Sequence, residues 1–409
     1  MSFLFDLFSL FSKGPVVEVL KLVLNFWFLW VPLALFFVAW EIWVVYVRSY
    51  YFSRFPWTFL EIRIPGEVEK SPRAMEIVFN SLHNTRTGNL IEAYWDGYIT
   101  TWYSFEIASI NGEVRFFIRA PKFFRNLVES QIYSQYPEVE IAEVDDYTKH
   151  LPKELPNDEF SVWGAEFGLV KKDCYPIKTY VDFKLDLPAE ETEKTDPMSN
   201  IIEFLGSLRD GEQLWFQIVI QGATDDWKKT GEKLIEKMLG RKKFQLAAEK
   251  GEKAIPPLLA PGEKDVIEAV ERNMSKLGFK TGIRFVYVAR RDVYTPASFS
   301  SMLGIMKQFN SLNLNGFKPA WNTSIDYLFI KRRQAYRQRQ IVENFRGRSY
   351  FYPPYGSFVQ PGKSGDVPPF VFNSEELATI YHIPGRTAGA PRLERIEAKK
   401  GSPPANLPI

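Results

Sequence analysis

The run from Leu22 to Trp40, LVLNFWFLWVPLALFFVAW, carries no charged residue, and its length is what a helix needs to cross the hydrocarbon core of a bilayer. Beyond Glu41 the apolar character continues to Val47, and Trp40, Trp43, Tyr46, Tyr50 and Tyr51 fall where an interfacial aromatic belt lies. The reading is a membrane anchor over 22–47, with Leu22, Trp27, Trp30, Trp40 and Trp43 among its lipid contacts. A cleaved signal peptide fits less well, because the apolar run is long, rich in Trp and followed by no small-x-small site before Arg48. A buried or re-entrant helix is the other alternative. Ser2 to Ser12, SFLFDLFSLFS, reads as an interfacial segment set off by Pro15, and Pro32 is a point at which the anchor can kink. Lys13 and Lys21 precede the anchor, while Arg48, Arg54 and Arg63 follow it. The balance leans toward a single pass through the cell membrane with a cytoplasmic body.

The chain has 409 residues, so the part after the anchor has room for two domains and a tail. Its 51 basic and 49 acidic residues nearly cancel, which leaves any attraction to nucleic acid to local patches. A single cysteine, Cys174, excludes an intrachain disulfide. His83, His150 and His382 lie far apart in sequence, and no zinc-ligand spacing links them. No cofactor is implied.

The pattern after the anchor predicts an α+β fold. Thr58–Ile64 alternates as a strand, Ser71 and Pro72 start a helix, and TWYSFEIASI and EVRFFIRA form two strands joined at Asn111 and Gly112, a dipeptide suited to a tight hairpin turn. A helix from Pro121 and a strand over Val139–Val144 complete strand, helix, hairpin, helix, strand, the order of a ferredoxin-like (βαββαβ) unit, over 55–150. A similar order recurs over 157–320. Its expected strands are Tyr175–Leu185, Gln213–Gln221 and Gly282–Arg290, with helices from Asp196 and Pro296 and a charged helical insertion over 225–277. The expected architecture is therefore an anchor over 1–54, two ferredoxin-like units, a basic helix over 321–352 and an extended Pro-rich tail over 353–409.

The basic helix carries Lys331, Arg332, Arg333, Arg337, Arg339, Arg346 and Arg348 against Glu343, with aromatic residues interleaved. Nucleic acid, anionic lipid or an acidic partner would suit that pattern, and so would a solvated helix with an aromatic docking face. Gly362, Lys363 and Ser364 imitate the end of a phosphate-binding loop. The required glycine five residues earlier is Ser357, and no strand and helix flank the segment. Phe285 and Tyr287 share a strand face as stacking aromatics do in RNA-recognition domains, but the glycine pattern of that motif is absent and core packing is the better account. The adjacent carboxylates Asp145 and Asp146 are expected to solvate a strand end, and Cys174 to be an ordinary thiol. No nucleophile, base and acid fall into a catalytic spacing, so an enzyme is not expected.

Near the end, Asn373 with Glu376 three residues on makes a capping box for a short helix that stops before Pro384. The stretch EELATIYHIP, followed by AKKGSPPANLP, resembles the segment just upstream of the motor domain in membrane-anchored ATPases of the type IV secretion and conjugation coupling class, as found in candidate-phylum bacteria. The residues that carry the resemblance are Glu375, Glu376, Leu377, Ala378, His382, Ile383, Pro384, Pro403, Pro404, Asn406, Leu407 and Pro408. In that family the stretch leads into a nucleotide-binding motor, whereas this chain shows no phosphate-binding loop.

The resemblance thus implies a non-enzymatic, membrane-anchored scaffold of a type IV secretion or DNA-translocation system that seats a motor ATPase. The alternative is a membrane-anchored nucleic-acid-binding protein using 331–348. Leu377, Ile380, Tyr381 and His382 are the candidate docking residues of a tail ordered either on the chain's own body or on a partner motor, and a homo-oligomer is compatible with either reading. His382 suits a switch at such an interface or a packed residue at a helix end.

Overall fold

The computed structural model describes residues 24–65, 70–187, 196–240, 259–348, 350–351, 367–385 and 395–396. Two compact units emerge, one built from the N-terminal region with 88–99 and the other from most of the remaining chain.

The first unit is dominated by helix α1 (Trp27–Ser53), which runs through Pro32 and is long and apolar enough to cross a membrane. Leu22 and the segment from Ser2 to Ser12 lie outside the described residues. Most of the apolar side chains of α1 are exposed, including Trp27, Trp30, Leu33, Phe36 and Phe37, whereas Val44 and Val47 are buried. The contrast follows from residues 88–99, which cover only the C-terminal half of the helix.

The second unit is built on one large antiparallel sheet. Its first four strands are β1 (Trp57–Pro65), β2 (Tyr103–Ile110), β3 (Glu113–Pro121) and β4 (Glu140–Glu143), lying in the order β4-β1-β3-β2 and antiparallel to one another, with the end of β1 also paired in parallel to Arg395–Ile396. Helix α2 (Arg73–Ser81) connects β1 to β2 together with the 88–99 excursion, and a later helix (Arg125–Gln135) connects β3 to β4. The hairpin turn has Asn111 at φ 55° and Gly112 at φ 86°, the paired left-handed conformation that Asn-Gly favours and that matches strand twist.

The next four strands are β5 (Phe160–Leu169), β6 (Glu212–Gly222), β7 (Gly278–Arg290) and β8 (Phe317–Asn322). They lie in the order β6-β7-β5-β8, again antiparallel. β2 pairs with β6 along eight residues, from Tyr103↔Ile220 to Ile110↔Gln213, so the halves assigned to 55–150 and 157–320 share one sheet.

The expected strand at Tyr175–Leu185 is not one. Pro176 removes a backbone donor, and the Asp182 carboxylate accepts from Thr179 N at 2.8 Å, closing a turn that sends Ile177, Tyr180 and Leu185 into the core. Its place in the order is taken by β5. The insertion between β6 and β7 is helical as expected, with helices over Lys228–Met238 and Pro261–Met274 packed around Cys174 in a small core of their own.

Both sheet faces are covered. One carries the main core, formed with α2, Arg125–Gln135, Pro197–Gly206 and Pro296–Ile305. The opposite face is covered by a long helix, Ile330–Gly347, which inserts Ile341, Val342 and Phe345 among Val162, Trp215, Val286 and Val288. A Cβ at Gly164 would lie 2.8 Å from Ile341 Cγ1, so this helix approaches β5 as closely as it does only over a glycine.

The described part of the tail is seated on the chain's own body, one of the two placements expected for it, and is not extended there. A short strand (Phe370–Asn373) pairs with β7, and the following helix (Ser374–Ile380) is buried along its whole length in the main core. Gly362, Lys363, Ser364 and the prolines after Lys400 lie outside the described residues.

Candidate functional site

The seven cations of the basic helix divide sharply by environment. Lys331, Arg332 and Arg333 in its first turn and Arg339 at its middle are exposed, as are Tyr327, Leu328, Phe329 and Tyr336. Arg337 is braced against the turn ahead of the helix, donating to Asn322 O at 3.0 Å and Ser324 O at 3.2 Å with its guanidinium over Trp321. Arg346 donates to the carbonyls of Thr148, Pro152 and Lys153 and so fixes the loop after β4.

Arg348 is fully internal. At φ 47° it turns the chain back into the body, and its side chain is buried against the sheet. Arg348 is therefore removed from the expected contact surface for nucleic acid or lipid, and half-buried Arg346 has both terminal nitrogens committed to the carbonyls of that loop.

The guanidinium of Arg348 is held by two carboxylates. Nε donates to Glu106 Oε1 at 2.6 Å and Nη2 to Glu106 Oε2 at 3.2 Å, while Nη1 and Nη2 donate to Asp146 Oδ2 and Oδ1 at 2.5 and 2.9 Å. Glu106, at the middle of β2, also accepts from Ser104 Oγ at 2.7 Å, Tyr147 Oη at 2.8 Å and Gln217 Nε2 at 3.1 Å. Burial alone would raise the Asp146 carboxyl, but the bonds and charge of Arg348 outweigh it and hold it below the usual carboxylate range. Burial, with the Glu106 charge behind it, pushes the Tyr147 phenol well up and keeps it a neutral donor.

Asp146, expected to solvate a strand end, is thus half of a buried clamp. Beside it opens a cleft of about 650 Å³ whose lining includes Trp57, Arg119, Asp145, Lys149 and Arg346. The guanidinium of Arg119 stacks on Trp57 at 4.1 Å. Exposed Asp145 and Lys149 give the cleft charge of both signs, suited to holding a polar group. Within its lining the buried Thr58 hydroxyl donates to Glu143 Oε1 at 3.0 Å, and Glu143 is also paired with Arg125.

A second polar cluster surrounds the tail helix. Asn373 and Glu376 make the capping box with bonds of 2.7 and 2.9 Å, and the other Glu376 oxygen accepts from Ile177 N at 2.9 Å. Burial pushes the Glu376 carboxyl up to about 8. Glu375 accepts from Thr179 Oγ1 at 2.5 Å and pairs with Lys276 at 2.6 Å, and Lys276 reaches Glu76 of α2 at 2.8 Å.

His382 places Nδ1 2.8 Å from Ala378 O and Nε2 3.2 Å from Asp196 Oδ2. Burial would raise Asp196, and the His382 charge outweighs it and lowers the carboxyl. Leu377, Ile380, Tyr381 and His382 are at most 1% exposed, so these expected docking residues are core residues. Cys174 is buried, which raises its thiol and makes it unreactive.

Sequence reasoning missed Glu106. It sits in an alternating strand where a polar residue reads as outward-facing, and its partner is 242 residues away. Its one visible signal is the isolated acid in WYSFEIASI.

Residues 53–394 match the family described as Domain of unknown function (DUF8128), and because the match covers well over half of the chain, the protein belongs to that family. No curated protein matches the sequence. The matched region begins at the last residue of α1 and includes the buried tail helix.

Proposed function

We propose that this chain is a membrane-anchored, non-enzymatic scaffold of a type IV secretion or DNA-translocation machine, in which α1 spans the membrane and the body seats a motor ATPase. The observation that carries the reading is the position of Ser374–Pro384. In the ATPases that this stretch resembles, it leads into the motor; here it is the last described helix of the body and closes its core. A motor partner would accordingly dock close to the end of a rigid platform.

The strand orders support two ferredoxin-like units in that platform. Each half lies in the order fourth, first, third, second, with antiparallel neighbours, and each places its helices on one face. The commitment of Glu106, Asp146, Arg348, Glu375 and Lys276 to internal pairs supports a structural role over a catalytic one. The exposed aromatic-bearing helix α1 supports the anchor and a place in the cell membrane.

Purification of the full chain from its host in mild detergent should recover a motor ATPase of the secretion class. Chain recovered at high yield with no ATPase overturns the scaffold reading, and ATP turnover by the purified chain alone overturns the non-enzymatic one.

The nucleic-acid alternative retains one supporting observation, the exposed group Lys331, Arg332, Arg333 and Arg339. With Arg346 and Arg348 withdrawn, the basic stretch has lost its C-terminal third as a surface, which favours the scaffold.

A further inference from the structure

Between α2 and β2 the chain makes an excursion that the sheet does not require. Gly88 and Gly97, both at φ 72°, bound it, and it contains a single-turn helix, Leu90–Tyr94, closed by a capping box between Asn89 and Glu92. The excursion packs on the C-terminal half of α1. Trp43 Nε1 donates to Tyr94 O at 2.9 Å, the Trp40 and Tyr94 rings are 5.6 Å apart, Trp43 and Trp95 are 5.8 Å apart, and Tyr51 meets Tyr98 edge-on at 5.6 Å. A Cβ on Gly97 would lie 2.3 Å from Val47 O, so the two backbones touch there and no side chain fits between them.

Having docked, this segment leaves its own apolar side chains in the open. Leu90 is 76% exposed, Ile91 71% and Trp95 62%. An isolated exposed leucine needs no explanation, but three large apolar residues exposed on a short, capped turn anchored to α1 need one. The level of the patch along the helix is set by its contacts, which run from Trp40 to Tyr51 and so flank Glu41, the first charge after the apolar run. A carboxylate marks the edge of the hydrocarbon, and tryptophan and tyrosine favour that boundary.

We propose that residues 88–98 form an interfacial finger, a second membrane contact that lies in the headgroup region beside α1 and inserts Leu90, Ile91 and Trp95 toward the acyl chains. The proposal rests on the reading of α1 as a transmembrane span. The segment GNLIEAYWDGY carries Glu92 and Asp96 and no cation, so its attraction is to the apolar boundary and not to anionic lipid. The finger contacts zwitterionic bilayers as well as anionic ones.

The test uses the full chain reconstituted in phosphatidylcholine vesicles, with an environment-sensitive fluorophore on a cysteine introduced either as Ile91→Cys or, in α1, as Leu33→Cys. Native Cys174 is buried and does not compete for the label. Quenching by brominated lipids should place the label at 33 deep and the label at 91 shallow, separated by about 10–15 Å, from a rise of about 1.5 Å for each residue between Leu33 and Trp43. Gly97→Val should reduce quenching at 91 at least fivefold and leave 33 unchanged. Trp43→Phe, which removes the bond to Tyr94 O and trims the ring that meets Trp95 while keeping an aromatic side chain, should act in the same direction with less risk to folding. A label at 91 that stays in water while the label at 33 is quenched overturns the finger and leaves the anchor standing. Both labels in water overturn the two together.

Discussion

Replacing Arg348 with Met tests whether the clamp on Glu106 and Asp146 holds the long basic helix to the sheet. The substitution keeps most of the side-chain volume and removes four bonds to two carboxylates. Breaking a buried pair by deleting one partner costs about 3–5 kcal/mol, because the remaining charge stays desolvated. Glu106 keeps Ser104, Tyr147 and Gln217 as donors, which places the expected loss near the lower end, about 3 kcal/mol.

The pH dependence gives a sharper signature. Asp146 has a folded-state pKa below its unfolded value, so its contribution is present above the unfolded pKa and is lost as pH falls through the folded one. In Arg348→Met the Asp146 carboxylate loses the cation that lowers it, is left to the effect of burial, and gains from protonation. The difference between the two proteins should therefore shrink as pH drops from 7 toward 4. Urea unfolding followed by circular dichroism in detergent measures both quantities. A variant within about 0.5 kcal/mol of wild type at pH 7, or a difference that grows on acidification, would refute the reasoning. In the double variant with Glu106→Gln, a loss smaller than the sum of the two single losses identifies the pair as the coupled unit.

Three further outcomes are expected. Tyr381→Ala should cost about 3–5 kcal/mol, because the ring packs edge-on against Phe105 at 5.1 Å and Phe116 at 5.8 Å; a loss below about 1 kcal/mol in denaturant titration would return the tail to the surface. Glu376, raised to about 8, is protonated in the fold, so its stabilising contribution is complete below the unfolded carboxylate range and falls by up to about 1.4 kcal/mol per pH unit on the way to 8. Glu376→Gln should flatten that decline between pH 5.5 and 8, and an unchanged slope in unfolding midpoints would show that Glu376 is ionised. Reversing Lys331, Arg332 and Arg333 to Glu should leave motor recovery intact; a wild-type chain that binds DNA with a steep salt slope abolished by this change would favour the nucleic-acid alternative.

Local chemistry made part of this fold legible in the sequence. Asn111 and Gly112 specify their turn without help from the rest of the chain, and the strands on either side appear where alternation puts them. β5 escaped because FSVWGAEFGL contains Gly164, Gly168 and Glu166, which read as strand breakers. Gly164 is required by Ile341 on a helix far along the chain, and Glu166 faces Arg284 of β7 at 3.6 Å. The same non-locality misled the reading of the seven cations: helical spacing cannot reveal that Arg348 adopts a left-handed conformation and turns inward. The tail helix is short enough to be marginal alone. Nothing in its own residues announces that Lys276, from the insertion, meets Glu375.

The two polar clusters explain why the elements outside the paired strand orders belong to the body. The Arg348 clamp joins the end of the basic helix to β2, and the Glu375–Lys276–Glu76 chain joins the tail helix to the insertion and to α2. Apolar burial alone would hold both helices, but a hydrophobic face tolerates sliding, whereas a fork on two carboxylates is satisfied in one register. Buried pairs contribute little net stability against apolar replacements, so the contribution expected of these two is a single register of seating. The matched family region, which extends to 394, encloses both clusters.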